Sequence, residues 1–160
     1  FLAPINYGAL SSAAAALNVA SGYAFGCVLT TLPGFAPVTE SLMGLAQSFG
    51  PLVSAVVTTN IMCGITGSAS GGMTIALSAL GDQWMQMALA QGIPLEALHR
   101  IVAIASVGID PVPHCGALVT LLAICGLTHS DSYGDIAICM AMKFFVPYLC
   151  ILFFLLTGIC

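Results

Sequence analysis

The sequence predicts an all-α, polytopic membrane fold carrying a re-entrant helical hairpin and a discontinuous transmembrane helix. Three observations lead there. Of 160 residues, 59% are hydrophobic and only 5% charged, with a mean hydropathy of +1.08, whereas a soluble domain is roughly a quarter charged. No charged residue occurs from Ser41 to Gly81. Two runs that cannot stay helical interrupt apolar stretches: Gly67-Ser68-Ala69-Ser70-Gly71-Gly72 and Gly108-Ile109-Asp110-Pro111-Val112-Pro113-His114.

Residues 9–32 are long enough to cross roughly 30 Å of hydrocarbon. They are rich in Ala, Ser and Gly, with Asn18 in the middle, and small residues let transmembrane helices approach closely. Pro33-Gly34 ends this helix. Residues 35–49 are too short to span; Leu42, Leu45, Ala46 and Phe49 fall at helical spacing, which predicts an amphipathic helix along the interface. Gly50-Pro51 then opens a new helix, with Pro in the favoured first turn.

Residues 51–80 read as the hairpin. Its rising arm carries Thr58, Thr59 and Asn60, its tip is Gly67–Gly72, and its descending arm, Met73 to Leu80, meets Gly81-Asp82-Gln83 and the single tryptophan, Trp84. The competing reading is two full spans, the second reaching Ala90. Residues 94–127 read as the broken helix. Glu96 and Arg100, four apart, are a ready ion pair beside His99 at a membrane-interface helix end. The prolines of the second run remove donors and push their predecessors out of the helical region. Residues 128–135 are the longest polar run and are expected as a water-facing loop, with His129 solvated and Ser132 and Asp135 forming a capping box. The last span covers residues 136–156, with Lys143 snorkelling and Pro147 kinking it.

Two basic residues, Arg100 and Lys143, face six acids, for a formal charge of −4. No basic patch exists, which argues against nucleic acid and anionic lipid surfaces as partners. The seven cysteines contain no CxxC pair and are expected as packing residues, with no metal and no cofactor. Phe1 follows no start Met or basic n-region, and the chain stops at Cys160 in an apolar run. The expectation is a single transmembrane region over residues 1–160, cut from a longer polytopic protein.

Ionisable groups at membrane depth are costly and mark ion or substrate pathways. Asp110 and His114 are therefore expected to carry and relay a proton. Glycine-rich backbone at the first break can cradle a carboxylate or coordinate a cation, which assigns substrate binding to Asn60, Gly67, Ser68, Ser70, Gly71 and Gly72. Ordinary turn chemistry and interhelical hydrogen bonding are the bland alternatives. Two broken apolar segments so close together tip the balance toward a transport site. An intramembrane hydrolase fits poorly: Ser68 stands where a Gly-x-Ser-Gly nucleophile motif needs glycine, no His-Glu-x-x-His occurs, and Asp110, His114 and Cys115 lack a strong metal-site spacing. An enzyme is not expected.

The stretch Gly64-Ile65-Thr66-Gly67-Ser68-Ala69-Ser70-Gly71-Gly72-Met73 resembles the gluconate permease-like family. So do Leu98-His99-Arg100-Ile101 through Gly108-Ile109-Asp110, Pro113-His114 and Gly116-Ala117, and Leu121 to Tyr133. The resemblance covers residues 51–133. It implies the ion transporter superfamily: inverted repeats, each with a re-entrant hairpin and a broken helix, of which this chain would be the end of the second. It further implies a symporter of small organic anions such as gluconate or a related sugar acid, coupled to H⁺, in a bacterial inner (plasma) membrane, assembled as a homodimer in the lipid bilayer. A Na⁺-coupled citrate or dicarboxylate carrier, with Ser68, Ser70 and Asn60 as Na⁺ ligands, is the alternative.

Overall fold

The computed structural model describes residues 2–158, apart from a number of side chains before residue 48. Those residues form six helices and no strand: α1 (Leu2–Thr31), α2 (Phe35–Thr66), α3 (Ala69–Ala90), α4 (Leu95–Ala105), α5 (Gly116–Cys125) and α6 (His129–Thr157). Ser48–Thr66 and His129–Thr157 are long and apolar enough to cross a membrane, and α5 is a shorter apolar helix.

α2 is two limbs meeting at Gly50, whose φ of 82° and ψ of 170° only glycine adopts readily. Pro51 then occupies the start of the second limb, where its missing N–H costs no helical bond. The expected apolar face of the first limb is split: Leu42 is buried and Phe49 exposed. Leu45 and Ala46, like Asn18 in α1, fall outside the described side chains.

The second limb of α2 and the whole of α3 form an antiparallel pair that supplies most of the core. α1 packs on both, α4 on α2, α3 and α6, and α6 also on α2. Leu52, Ala55, Val56 and Met62 meet Ile75, Ala76, Leu80, Trp84 and Ala88, and Leu98, Ile101, Val102 and Ala105 of α4 close the cluster. Trp84 is fully buried and donates through Nε1 to Ser54 Oγ at 3.1 Å. At Gly72 the two backbones nearly touch: a Cβ there would overlap the amide nitrogen and Cα of Cys63.

Four features differ from the sequence reading. The six-residue break shrinks to Gly67 and Ser68, because the Ser68 hydroxyl caps α3 by accepting from Gly71 N at 3.2 Å. α3 runs on through Gly81-Asp82-Gln83 to Ala90, as in the two-span alternative, with Asp82 exposed and Trp84 buried on different faces. The Glu96–Arg100 ion pair does not form; the ion pair among the described residues joins Lys143 and Asp110. Finally, the polar run after Thr128 is helical. α6 starts at His129, where Asp131 Oδ2 accepts from Thr128 N at 2.9 Å and from Thr128 Oγ1 at 2.5 Å. Thr128 and Asp131 thus take the capping role expected of Ser132 and Asp135.

α5 is held by a second, smaller cluster: Cys115, Leu118 and Leu122 pack with Val112, Tyr133 and Ile136. α6 otherwise turns its apolar surface outward. Only 11% of its apolar window is buried, against 56% for Ser48–Thr66.

Candidate functional site

Gly67 ends α2 in the left-handed region, with φ 60°. Residues 106–115 separate α4 from α5. These two non-helical stretches meet. His114 lies over Gly67, so a Cβ on that glycine would stand 2.8 Å from the imidazole Cδ2 and 3.2 Å from Cys115 Cα. His114 Nε2 is 3.3 Å from Ile65 O, one of the carbonyls left over in the last turn of α2. Lower down, Ile109 packs on Gly64, and Asn60 Oδ1 fills the space that a side chain at Gly108 would need. The ends of α2 and α4 and the starts of α3 and α5 therefore gather at one junction. Helix starts carry partial positive charge and helix ends partial negative charge, so such a junction has preferred positions for both anions and cations.

Buried polar groups lie on the stretch of α2 that leads to this junction. Thr58, Thr59 and Asn60 are buried in succession on α2. Asn60 Nδ2 donates to Val56 O at 3.0 Å, while Asn60 Oδ1 and the hydroxyl oxygens of Thr58 and Thr59 are buried without a hydrogen-bond partner. A buried polar atom in that condition costs about 1–3 kcal/mol, so the cluster is expensive as mere packing. Ser68 and Ser70 face each other at 3.4 Å between hydroxyls, and the Ser70 carbonyl accepts from Thr74 Oγ1 at 2.8 Å. Gly71 and Gly72 are buried in the first turn of α3 rather than presented at an open tip. No hydrogen bond between described residues joins Ser68 or Ser70 to the 106–115 stretch.

Asp110 is half-buried and points toward α6, where Lys143 Nζ lies 4.0 Å from its Oδ1. That distance makes an ion pair without a hydrogen bond, and Oδ1 has no hydrogen-bond partner. The second stretch is tied to α6 again by His129, whose Nε2 is 3.0 Å from Pro113 O. Among the described residues no three His, Cys, Asp or Glu side chains converge as a metal site.

The structure thus brings Asn60, Gly67, Asp110 and His114 to one junction, with Ser68 adjoining. Gly71 and Gly72 go to the α2–α3 packing interface, and Ser70 is exposed. Sequence reading missed Lys143 and His129. Both come from α6, and no spacing within that helix marks them out.

An uncharacterised transporter of Bacillus subtilis (strain 168), YxjC, is 43% identical over 156 residues, covering 97% of this chain. The chain spans 32% of that protein's length. No protein-family model matches the chain, and no solved structure matches it.

Proposed function

We propose that the chain forms part of a secondary active transporter for small organic anions, such as gluconate or a related sugar acid, driven by proton symport. The observation that carries this reading is the junction itself. Two chain breaks, one glycine-rich and uncharged, the other holding Asp110 and His114, come together between four helix ends. The similarity to a protein named as a transporter supports the general role. In this reading α4–α5 is a broken helix whose break faces the turn between α2 and α3. The N–H groups at the starts of α3 and α5 face the substrate carboxylate, and Asp110 and His114 couple protonation to loading. The setting is a bacterial inner membrane, with the intact protein a homodimer.

The test is gluconate uptake by the intact protein in proteoliposomes under an imposed pH gradient. Asp110→Asn and His114→Ala are expected to lower proton-driven accumulation by about 10²-fold or more, the low end of what a positioned proton-transfer group contributes. Unchanged accumulation with unchanged pH dependence would remove both residues from the mechanism. A Na⁺-coupled citrate or dicarboxylate carrier is the second reading, favoured by the unpartnered oxygens of Thr58, Thr59 and Asn60. Replacing Na⁺ by choline in the uptake buffer separates the two: it leaves a proton symporter unaffected and halts a sodium symporter.

A further inference from the structure

We propose that Lys143 is the anion-binding residue of this site, and that Asp110 occupies its ammonium group until substrate arrives. The proposal rests on the transporter reading and deepens it. The chain has two basic residues. Arg100 lies elsewhere, in an apolar groove of about 520 Å³ between α4 and α6, beside Ile101, Ile104, Leu149 and Phe153. Lys143 alone reaches the junction, from an unbroken helix, and touches the charged break at Asp110.

The geometry of the pair is asymmetric. The Lys143 side chain is 47% exposed and that of Asp110 23%. At 4.0 Å the ammonium makes no hydrogen bond to Asp110 Oδ1 and keeps donors for another acceptor. A structural salt bridge at membrane depth would be expected closer, since charge-assisted contacts normally close to about 2.7–2.9 Å. An incoming carboxylate finds the more accessible partner open and the less accessible one already in place.

Charge balance then links substrate to proton. Before loading, Lys143 is positive and Asp110 negative. An anion placed on Lys143 would leave two carboxylates around one ammonium, which raises the proton affinity of Asp110. With one proton taken up by Asp110, the loaded site holds one positive and one negative charge, as the empty site does. Each anion therefore brings one proton, and neither state buries a net charge. In this scheme Asp110 holds the coupling proton and His114 relays it, and further titratable groups lie around the pair. Cys63 on α2 is a buried thiol within electrostatic reach of the carboxylate. His114, on the same stretch, has its Nε2 near Ile65 O, and His129 on α6 has its Nε2 near Pro113 O.

The experiment uses the intact protein in proteoliposomes with radiolabelled gluconate. Lys143→Gln should raise the KM for gluconate at least 10-fold, and Lys143→Arg should restore most of the loss. Asp110→Asn should still exchange gluconate across the membrane, with an affinity that no longer varies with pH. The double variant Asp110→Asn/Lys143→Gln should bind as poorly as Lys143→Gln, because the ammonium is gone. A purely structural pair predicts the reverse: the double neutral variant recovers wild-type KM, and that result, or an unaltered KM in Lys143→Gln, overturns the proposal. Should the Lys143→Gln protein fail to fold, the pH dependence of exchange by Asp110→Asn decides, and a profile like the wild type's overturns it. Wild-type protein that moves neither gluconate nor citrate nor a dicarboxylate would instead sink the transporter reading itself.

Discussion

Gly72→Val is expected to destabilise the protein by about 3 kcal/mol or more, the upper end of what overpacking costs. A Cβ at position 72 would fall on the Cys63 amide nitrogen and Cα, and 2.6 Å from its sulfur. Backbone cannot rotate aside as a side chain can, so α2 and α3 would have to separate along an interface that includes Val56, Met62, Ile75 and Ala76. Trimming the neighbour should not help: Cys63→Ala removes the sulfur and leaves the obstructing backbone in place. Thermal melting of purified protein in detergent, followed by circular dichroism, checks both points. A Gly72→Val protein with wild-type Tm, or one rescued by Cys63→Ala, would show that the helices are not in backbone contact at this level.

Trp84→Ala should cost about 3–5 kcal/mol, the usual loss for deleting a large buried aromatic. The indole is fully buried among residues of α2 and α4, and it is the chain's single tryptophan. Trp84→Phe separates volume from hydrogen bonding. It keeps most of the ring but leaves Ser54 Oγ without its 3.1 Å donor, and roughly 1–3 kcal/mol should be lost for the orphaned group. Pairing Trp84→Phe with Ser54→Ala should recover much of that, because the oxygen is then gone as well. Equal melting temperatures for the single and paired variants would show that the hydrogen bond contributes little.

The helical architecture was legible in hydropathy and in the punctuation by glycine and proline, and the misjudged boundaries have identifiable causes. Glycine and serine propensities argue against helix from Ser68 to Gly72, yet Ser68 caps the turn and Gly72 permits the contact with Cys63, so packing outweighs propensity. Gly81-Asp82-Gln83 looks like an exit from the membrane when read linearly. On a helix Asp82 turns away from Trp84, and the run interrupts nothing. The start of α6 was ambiguous in principle: Thr128 to Asp131 and Ser132 to Asp135 carry the same capping pattern. The earlier one is used: Asp131 Oδ2 accepts from both Thr128 N and Thr128 Oγ1, and the helix starts at His129. At the candidate site, Asn60, Asp110 and His114 stood out because polar residues are rare in this chain. The pairing of Asp110 with Lys143 did not, since a contact between separate helices leaves no period in either.

The outward face of α6 has a consequence for how this protein can drift over time. Ile138, Met142, Leu149, Leu152 and Leu155 are more than half exposed, so no neighbour within this chain imposes a fixed shape on them. Interchange among Leu, Ile, Met and Phe at those positions is free of the fit that Trp84 must satisfy. The helix is constrained instead at a few points, the Thr128–Asp131 start, Lys143 and the buried Ile151. Within this chain, packing asks only hydrophobicity of most of α6 and a particular residue at those few points.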